Sequence, residues 1–383
     1  MILPATHGEL PVRPNDPALH PIAEKVEAGE RISREDAIAL FETDDLLAVG
    51  GMADLANRRL NGDRVFYVAN QHINPTNVCI LNKVCVFCSY GVRPLAEDAY
   101  TMSLEEVFAE AEAARSAHTR EFHIVGGLHP KLPLSYYTDM IRGLKERHPQ
   151  VHVKALTAVE IAHLARVEGI ETRDVLREMI DAGLDAMPGG GAEVFSPAVR
   201  STIADRKLVA DEWLRVHREA HELGVPTNCT LLYGHVESSA DRVDHMLMLR
   251  ELQDETGGFS TFIPLAWHPD NTALGREMGV EGKRTGGVDD LKALAVGRIL
   301  LDNVPHIKTH WIMVTTRVSQ IALSFGVDDL EGTVVLEKVT HTAGADTPLG
   351  LDLDEIVGLI RDAGKVPVER DSLYNPVREP VVA

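Results

Sequence analysis

Three of the chain's four cysteines, Cys79, Cys85 and Cys88, fall within ten residues of one another, in Asn77-Val78-Cys79-Ile80-Leu81-Asn82-Lys83-Val84-Cys85-Val86-Phe87-Cys88-Ser89-Tyr90. Three thiolates on one loop can each hold one iron of a [4Fe–4S] cluster, which leaves the fourth iron open to a ligand from outside the protein. The two-residue gap between Cys85 and Cys88 lets the neighbouring backbone wrap a metal. Buried structural cysteines more often scatter along strands and helices. A closed zinc site needs four ligands, commonly as two separated pairs. The fourth cysteine, Cys229, lies far away in an apolar run just before Leu231-Leu232 and reads as a core residue.

A cluster with one open iron can bind S-adenosylmethionine through the amino and carboxylate groups of its methionine part. Electron transfer into the sulfonium then breaks a carbon–sulfur bond and gives a 5′-deoxyadenosyl radical; the protein holds and shields cluster and cofactor. Fitting residues stand nearby. Phe87 lies between the second and third cysteines, where a ring can cover the cluster and touch adenine. Tyr90 can present backbone groups to the adenine edge. Gly126 and Gly127 end a predicted strand and let backbone approach the methionine ammonium with no side chain in the way. A glycine pair there would otherwise be a simple turn.

These loops need a scaffold. Val65–Ala69 reads as a buried strand leading into the cysteine loop, and strand and helix patterns then alternate. Strands are expected at Glu121–Val125, Val151–Thr157, Leu184–Met187, Thr227–Tyr233, Phe259–Ile263 and His306–Ile312, with a short piece near Leu323. Amphipathic helices such as Ser103–Ser116 and Ser135–Arg147 lie between them, each opening near a serine or acidic residue. About eight strand–helix units of about 30 residues predict an α/β fold, a parallel (β/α) barrel, with a doubly wound open sheet as the alternative. In a barrel the C-terminal strand ends carry the chemistry. The expected organisation is an N-terminal arm and helices over 1–62, a barrel core over 63–345, and a C-terminal helix and tail over 346–383. Ile32-Ser33-Arg34-Glu35-Asp36-Ala37 carries a serine cap, and one last helix is expected at Leu353–Ala363.

At 383 residues, 44% hydrophobic and 25% charged, the composition is that of a globular protein with a large core. No apolar run reaches the roughly 18 residues of a membrane span. The opening Met1–His7 lacks a basic stretch followed by an apolar core, so no secretory signal is expected. Clustered free thiols point to a reducing cytoplasm. A net charge of −20 speaks against a broad nucleic-acid surface but allows a local pocket for a small anion.

Further stretches carry a resemblance. His123-Ile124-Val125-Gly126-Gly127-Leu128-His129-Pro130, Met187-Pro188-Gly189-Gly190-Gly191-Ala192-Glu193, Tyr233-Gly234-His235-Val236-Glu237, Phe262-Ile263-Pro264-Leu265 and Pro367-Val368-Glu369-Arg370-Asp371-Ser372-Leu373-Tyr374, with the cysteine loop, resemble radical S-adenosylmethionine enzymes. Within these they resemble the aminodeoxyfutalosine synthase family of menaquinone biosynthesis, over about residues 30 to 375. Dehypoxanthine futalosine cyclase and the deazaflavin (F0) synthase subunits share the triple glycine. The family pattern has three residues between the first two cysteines, and this chain has five.

The resemblance implies that the deoxyadenosyl radical adds to the enol-ether double bond of 3-[(1-carboxyvinyl)oxy]benzoate, with S-adenosylmethionine consumed and an external donor such as flavodoxin or ferredoxin supplying electrons. A substrate with two carboxylates asks for cations or donors. Arg317, after a predicted strand, is the first candidate, and it otherwise reads as a surface helix residue. His72 and Asn74 could face the barrel mouth. Glu160 and Glu193 end strands where a ribose could be gripped, or serve as helix-cap acids. His235 near Glu237 could carry a proton, or be a satisfied loop histidine. Separately, His123, His129, His235, His268 and His310 sit near predicted strand ends, which allows a metal-dependent barrel hydrolase. That reading leaves the cysteines without a purpose, as does a non-catalytic scaffold.

Overall fold

The structure, a computed structural model, describes residues 8–377. Met1–His7 of the expected arm and the last six residues of the expected tail lie outside the described residues. Arg64–Val68 (β1) and Asn70–Ile73 (β2) form one extended segment interrupted at Ala69. After it come Glu121–Ile124 (β3), His152–Ala155 (β4), Thr227–Tyr233 (β5), Phe259–Ala266 (β6), His306–Ile307 (β7) and Asp329–Gly332 (β8). All pairings are parallel: β2 with β3, β3 with β4, β5 with β6, β6 with β7, and β8 with β1. Single bridges close the remaining gaps. Lys154 meets Ala186 and Met187 meets Thr227, joining β4 to β5 through the expected fourth strand; Lys308 meets Asp329, joining β7 to β8; and Gln71 meets Val335. The sheet therefore closes on itself as a parallel barrel, with helices outside.

Two expected strands are corrected. Only His306–Ile307 of the 306–312 run is a strand, and Trp311–Val314 is a helix. The segment near Leu323 ends the helix Thr316–Ala322, and the strand follows at β8. A short apolar run does not distinguish a buried strand from a buried helix. Here the fully buried Trp311 fixes the choice by donating its indole Nε1 to the Gly332 carbonyl at 2.9 Å. Thr315, at φ +78°, then breaks the backbone and caps the next helix through its hydroxyl.

The expected tail is partly a strand. Val366–Glu369 (β9) pairs with β1 in register from Arg64–Val366 to Tyr67–Glu369. β1 thus lies between β8 and β9. Beyond β9 the chain seals the N-terminal end of the barrel. Arg370, fully buried, donates from Nε to Asp329 at 2.7 Å, and Ser372 donates to Glu121 at 2.6 Å. The Tyr374 ring stacks on His306 at 3.8 Å.

The N-terminal helices His20–Ala28, Arg34–Glu42 and Leu46–Asn61 lie against the barrel's outer helices. Ser33 and Asp36 form a reciprocal capping box at the second, as the sequence indicates. Where Leu46–Asn61 packs on the barrel, a Cβ at Gly50 would stand 2.5 Å from the Phe325 ring. Among the described residues no helix is long and apolar enough to cross a membrane.

Removing one partner of a fully buried ion pair strands the other charge. Arg370→Ala should lower unfolding free energy in urea by about 3–5 kcal/mol. A loss below about 1 kcal/mol, the range of exposed pairs, would show that the C-terminal seal contributes little.

Candidate active site

The cysteine loop leaves β2 at the barrel's C-terminal end. Its stem runs beside the end of β3: Gly127 N–H donates to the Thr76 carbonyl at 2.8 Å, and Ile80 N–H to Leu128 at 3.0 Å. The five residues between Cys79 and Cys85 coil into overlapping turns. Asn82 N–H reaches Cys79 O at 3.1 Å, and Val84 and Cys85 N–H share Leu81 O at 2.9 and 3.0 Å. Lys83 adopts φ +69° to allow this. The two residues beyond the family spacing are thus absorbed locally, in a turn that folds back on itself. Val86 is pinned on both sides, donating to Ile203 O at 3.0 Å and accepting from Leu274 N–H at 2.9 Å. The Asn82 side-chain amide donates to Gly91 O and ties the two ends of the loop.

The loop roofs a cavity of about 280 Å³. Cys79, Cys85, Cys88, Phe87, Tyr90, Gly126, Gly127, Glu160 and Glu193 all line it, together with an apolar wall including Leu81, Val125, Leu232, Leu265 and Trp267. None of the three cysteines is in a disulfide. Burial pushes the Cys85 thiol up to about 12 and raises Cys88 as well. A thiolate there requires a compensating cation, which iron supplies. Among the described residues no three His, Cys, Asp or Glu side chains converge on a point that could hold a single ion. That arrangement suits a cluster, whose three protein ligands each take a different iron.

Glu193 takes φ +50° at the end of the triple glycine and grips the ammonium of Lys207. Burial works against charge on Lys207, but the Glu193 carboxylate and the neighbouring Cys85 outweigh it and raise its pKa. The ammonium stands 5.3 Å from the centre of the Phe87 ring. Lys207 also lines the cavity; in sequence it sits in Asp205-Arg206-Lys207, which looks like an ordinary solvated run.

Glu160 lines the cavity as a capping-box acid. One oxygen accepts from Thr157 N–H and Oγ1 at 2.7 and 2.8 Å, and the other from Gly126 N–H at 2.9 Å. Gly126 N–H is therefore engaged by the chain itself. Burial raises the Glu160 carboxyl to about 7 against these hydrogen bonds. At Gly127 a Cβ would stand 2.3 Å from the Val78 carbonyl oxygen. The glycine is thus required where the barrel meets the cysteine loop, whatever it also contributes to cofactor binding.

Of the remaining expected residues His268 lines the cavity, its buried Nδ1 without a partner among the described residues, and the others lie elsewhere. Asn74 is buried and donates to Val125 O at 2.9 Å, tying the loop stem to β3. His72 lies on β2 inside the barrel, stacked on His123. The placement of Arg317 at a substrate carboxylate is corrected: it is exposed on Thr316–Ala322 and does not line the cavity, because the preceding segment coils into a helix where a strand was expected. His235 is sealed rather than poised for proton transfer, its Nε2 3.1 Å from Leu232 O and its Nδ1 accepting from Val236 N–H at 2.7 Å, with the Glu237 carboxylate 3.0 Å away. Its pKa is lowered, first by burial. His129 and His268 are likewise held to backbone groups.

Comparison with known proteins shows the family. The Radical SAM superfamily profile matches residues 73–249, and that of the CofH/MqnC C-terminal region matches 256–382. Aminodeoxyfutalosine synthase of Thermus thermophilus is 47% identical over 95% of this chain and 97% of its own length. The synthase of Streptomyces coelicolor is 46% identical over 94% of both chains. The 5-amino-6-(D-ribitylamino)uracil–L-tyrosine 4-hydroxyphenyl transferase of Methanopyrus kandleri is 41% identical over 84% of this chain and 87% of its own. Among solved structures, methylornithine synthase superposes with a TM-score of 0.70 over 90% of this chain and 96% of that one, at 16% identity. The [FeFe]-hydrogenase maturase HydG of Carboxydothermus hydrogenoformans gives 0.67 over 93% and 80%, at 18% identity.

Cys79→Ala, Cys85→Ala and Cys88→Ala should each abolish iron–sulfur absorption, whereas Cys229→Ala, a buried residue outside the cavity, should keep it at a packing cost of about 1 kcal/mol. Gly127→Val should lower iron content together with S-adenosylmethionine affinity, since the added carbons collide with the loop itself; normal iron with weakened affinity would return the glycine to a purely ligand-facing role. Glu160 carries a second expectation. Its folded-state carboxyl near 7 lies above the ordinary glutamate value of 4.5, so the folded chain binds more protons than the unfolded chain between those values. Its contribution to stability is full below about 4.5 and is lost as pH rises through 7. Urea melts of cluster-free protein between pH 5 and 8 should show a flatter pH dependence for Glu160→Gln than for the unsubstituted chain.

Proposed function

The chain belongs to the radical S-adenosylmethionine superfamily, an enzyme family that works with a [4Fe–4S] cluster and S-adenosylmethionine, and on that footing we propose that it catalyses the aminodeoxyfutalosine synthase reaction. In this reading 3-[(1-carboxyvinyl)oxy]benzoate, S-adenosylmethionine and water yield 6-amino-6-deoxyfutalosine, methionine and bicarbonate, on the way to menaquinone. The observation that carries it is the 47% identity to the Thermus thermophilus synthase along 95% of the chain.

When bound, cluster and S-adenosylmethionine supply the 5′-deoxyadenosyl radical. The chain's own residues hold, orient and enclose. Cys79, Cys85 and Cys88 anchor three irons from a loop whose turns are fixed by backbone hydrogen bonds. Phe87, with Lys207 above its ring, covers one side of the cavity. Glu193 and Glu160 are carboxylates at the wall, where ribose hydroxyls can donate to them. Leu81, Val125, Leu232, Leu265 and Trp267 exclude water from the space in which a carbon radical must meet its substrate. An external one-electron donor such as flavodoxin or ferredoxin completes the requirements.

A second reading has one observation in its favour. The Methanopyrus kandleri transferase, named for acting on 5-amino-6-(D-ribitylamino)uracil and L-tyrosine, is 41% identical over most of this chain. Anaerobic incubation of cluster-reconstituted protein with reductant, S-adenosylmethionine and each substrate set, read by mass spectrometry, separates the two. Aminodeoxyfutalosine should form from the enol-ether benzoate; product only from tyrosine and the ribitylaminouracil would replace this reading with the second. Because Arg317 is exposed and outside the cavity, Arg317→Ala should leave KM for the enol ether within about twofold, the range of surface substitutions.

A further inference from the structure

Beneath the cavity the barrel lumen is polar. Lys154 Nζ lies 2.7 Å from Glu121 and Lys308 Nζ lies 3.1 Å from Glu331. Both lysines are thereby matched to carboxylates. Three imidazoles share this layer. His72 on β2 and His123 on β3 stack with ring centres 4.6 Å apart and planes 18° apart. His310, at the start of the helix after β7, is close enough that its charge would act on His72.

These rings face a space rather than a packed core. The flanking β3 residues Phe122 and Ile124 have no exposed surface, yet the His123 side chain is 20% exposed. On a barrel strand that remaining exposure belongs to the lumen. Val125, two residues on, lines the cavity. Among the described residues the buried His310 Nδ1 has no hydrogen-bond partner. His123 Nδ1 stands 3.7 Å from Glu121, beyond a hydrogen bond. Burial holds His72 and His310 in their neutral forms.

Polar groups left unpaired inside a protein are costly unless a ligand satisfies them. The stacking holds two imidazoles with their centres 4.6 Å apart, close enough for one carboxylate to reach both. That geometry suits two N–H donors on the two oxygens of one carboxylate, and it does not converge on a metal ion. The cations of the layer are matched already, so the imidazoles are the donors available to an incoming anion.

We propose that His72, His123 and His310 form the seat for a carboxylate of the substrate, in the barrel lumen below the cysteine cavity. The inference rests on the proposed function for the identity of that substrate, an aryl enol ether with two carboxylates. It assigns the anion grip to neutral donors inside the barrel, with no arginine at the mouth.

The test is equilibrium binding to full-length, cluster-reconstituted protein, with the enol-ether benzoate and L-tyrosine as separate probes. His123→Phe and His72→Phe should weaken enol-ether binding about ten- to a hundredfold, the range of a lost hydrogen bond to a charged group. His123→Gln, which keeps an N–H donor, should recover most of it. S-adenosylmethionine affinity and melting temperature should be unchanged in His123→Gln. Enol-ether binding as tight in both Phe variants as in the unsubstituted chain would overturn the inference while leaving the proposed function standing. Should the unsubstituted chain bind tyrosine alone, the proposed function fails, and the same variants decide the seat against tyrosine's carboxylate. Binding of neither probe overturns both.

Discussion

The barrel is built around buried charges that cannot be left alone. Glu121 receives Lys154 from β4 and the Ser372 hydroxyl from the C-terminal segment; Asp329 receives Arg370. Burial opposes the ionisation of Glu121, but Lys154 beside it keeps its carboxyl well below the usual range. An unpaired charge at these positions would cost several kcal/mol. The requirement that each find its partner links β3, β4, β8 and the residues after β9 into one interior. The polar lumen and the sealed N-terminal end are two consequences of it. An apolar core would satisfy packing equally well but would offer nothing to a charged ligand.

Upon this rigid ring the cysteine loop is mounted by close backbone contact. Glycine at 126 and 127 lets the end of β3 lie against Thr76 and Val78, while Glu160 fixes the Gly126 amide from the opposite side. The loop is thus referenced to the barrel through main-chain atoms, whose positions vary less than those of long side chains. This is how a short, cysteine-bearing turn can hold a fixed place above the lumen.

Much of this was legible in the sequence. Three clustered cysteines can hardly serve a packed core, and β5 was readable to its ends because a run buried at every position stops at Gly234. The glycine pair was recognisable, although its first physical duty is contact with the loop stem. What escaped has a common cause. Trp311–Val314 is apolar on every side, so periodicity carries no information, and only the Trp311 indole bond to Gly332 selects the helix. With that turn Arg317 swings to the surface. Lys207 resembles any solvated lysine until the fold brings Glu193 to it. The stacking of His72 on His123 depends on a parallel register between strands some fifty residues apart, which no local pattern encodes.

The pairing of β9 with β1 bears on how the protein is made. Arg64 finds its neighbour at Val366, almost the whole chain away. Ribosomes release the N-terminal strand first, so β1 exists for most of translation with one edge uncovered. Exposed strand edges recruit other chains. Cover for that edge has to wait for residues 366–369 to emerge, and contacts of such long sequence separation form slowly. The nascent chain therefore carries its three thiols on β2's loop before the outer edge of β1 is covered by its last strand.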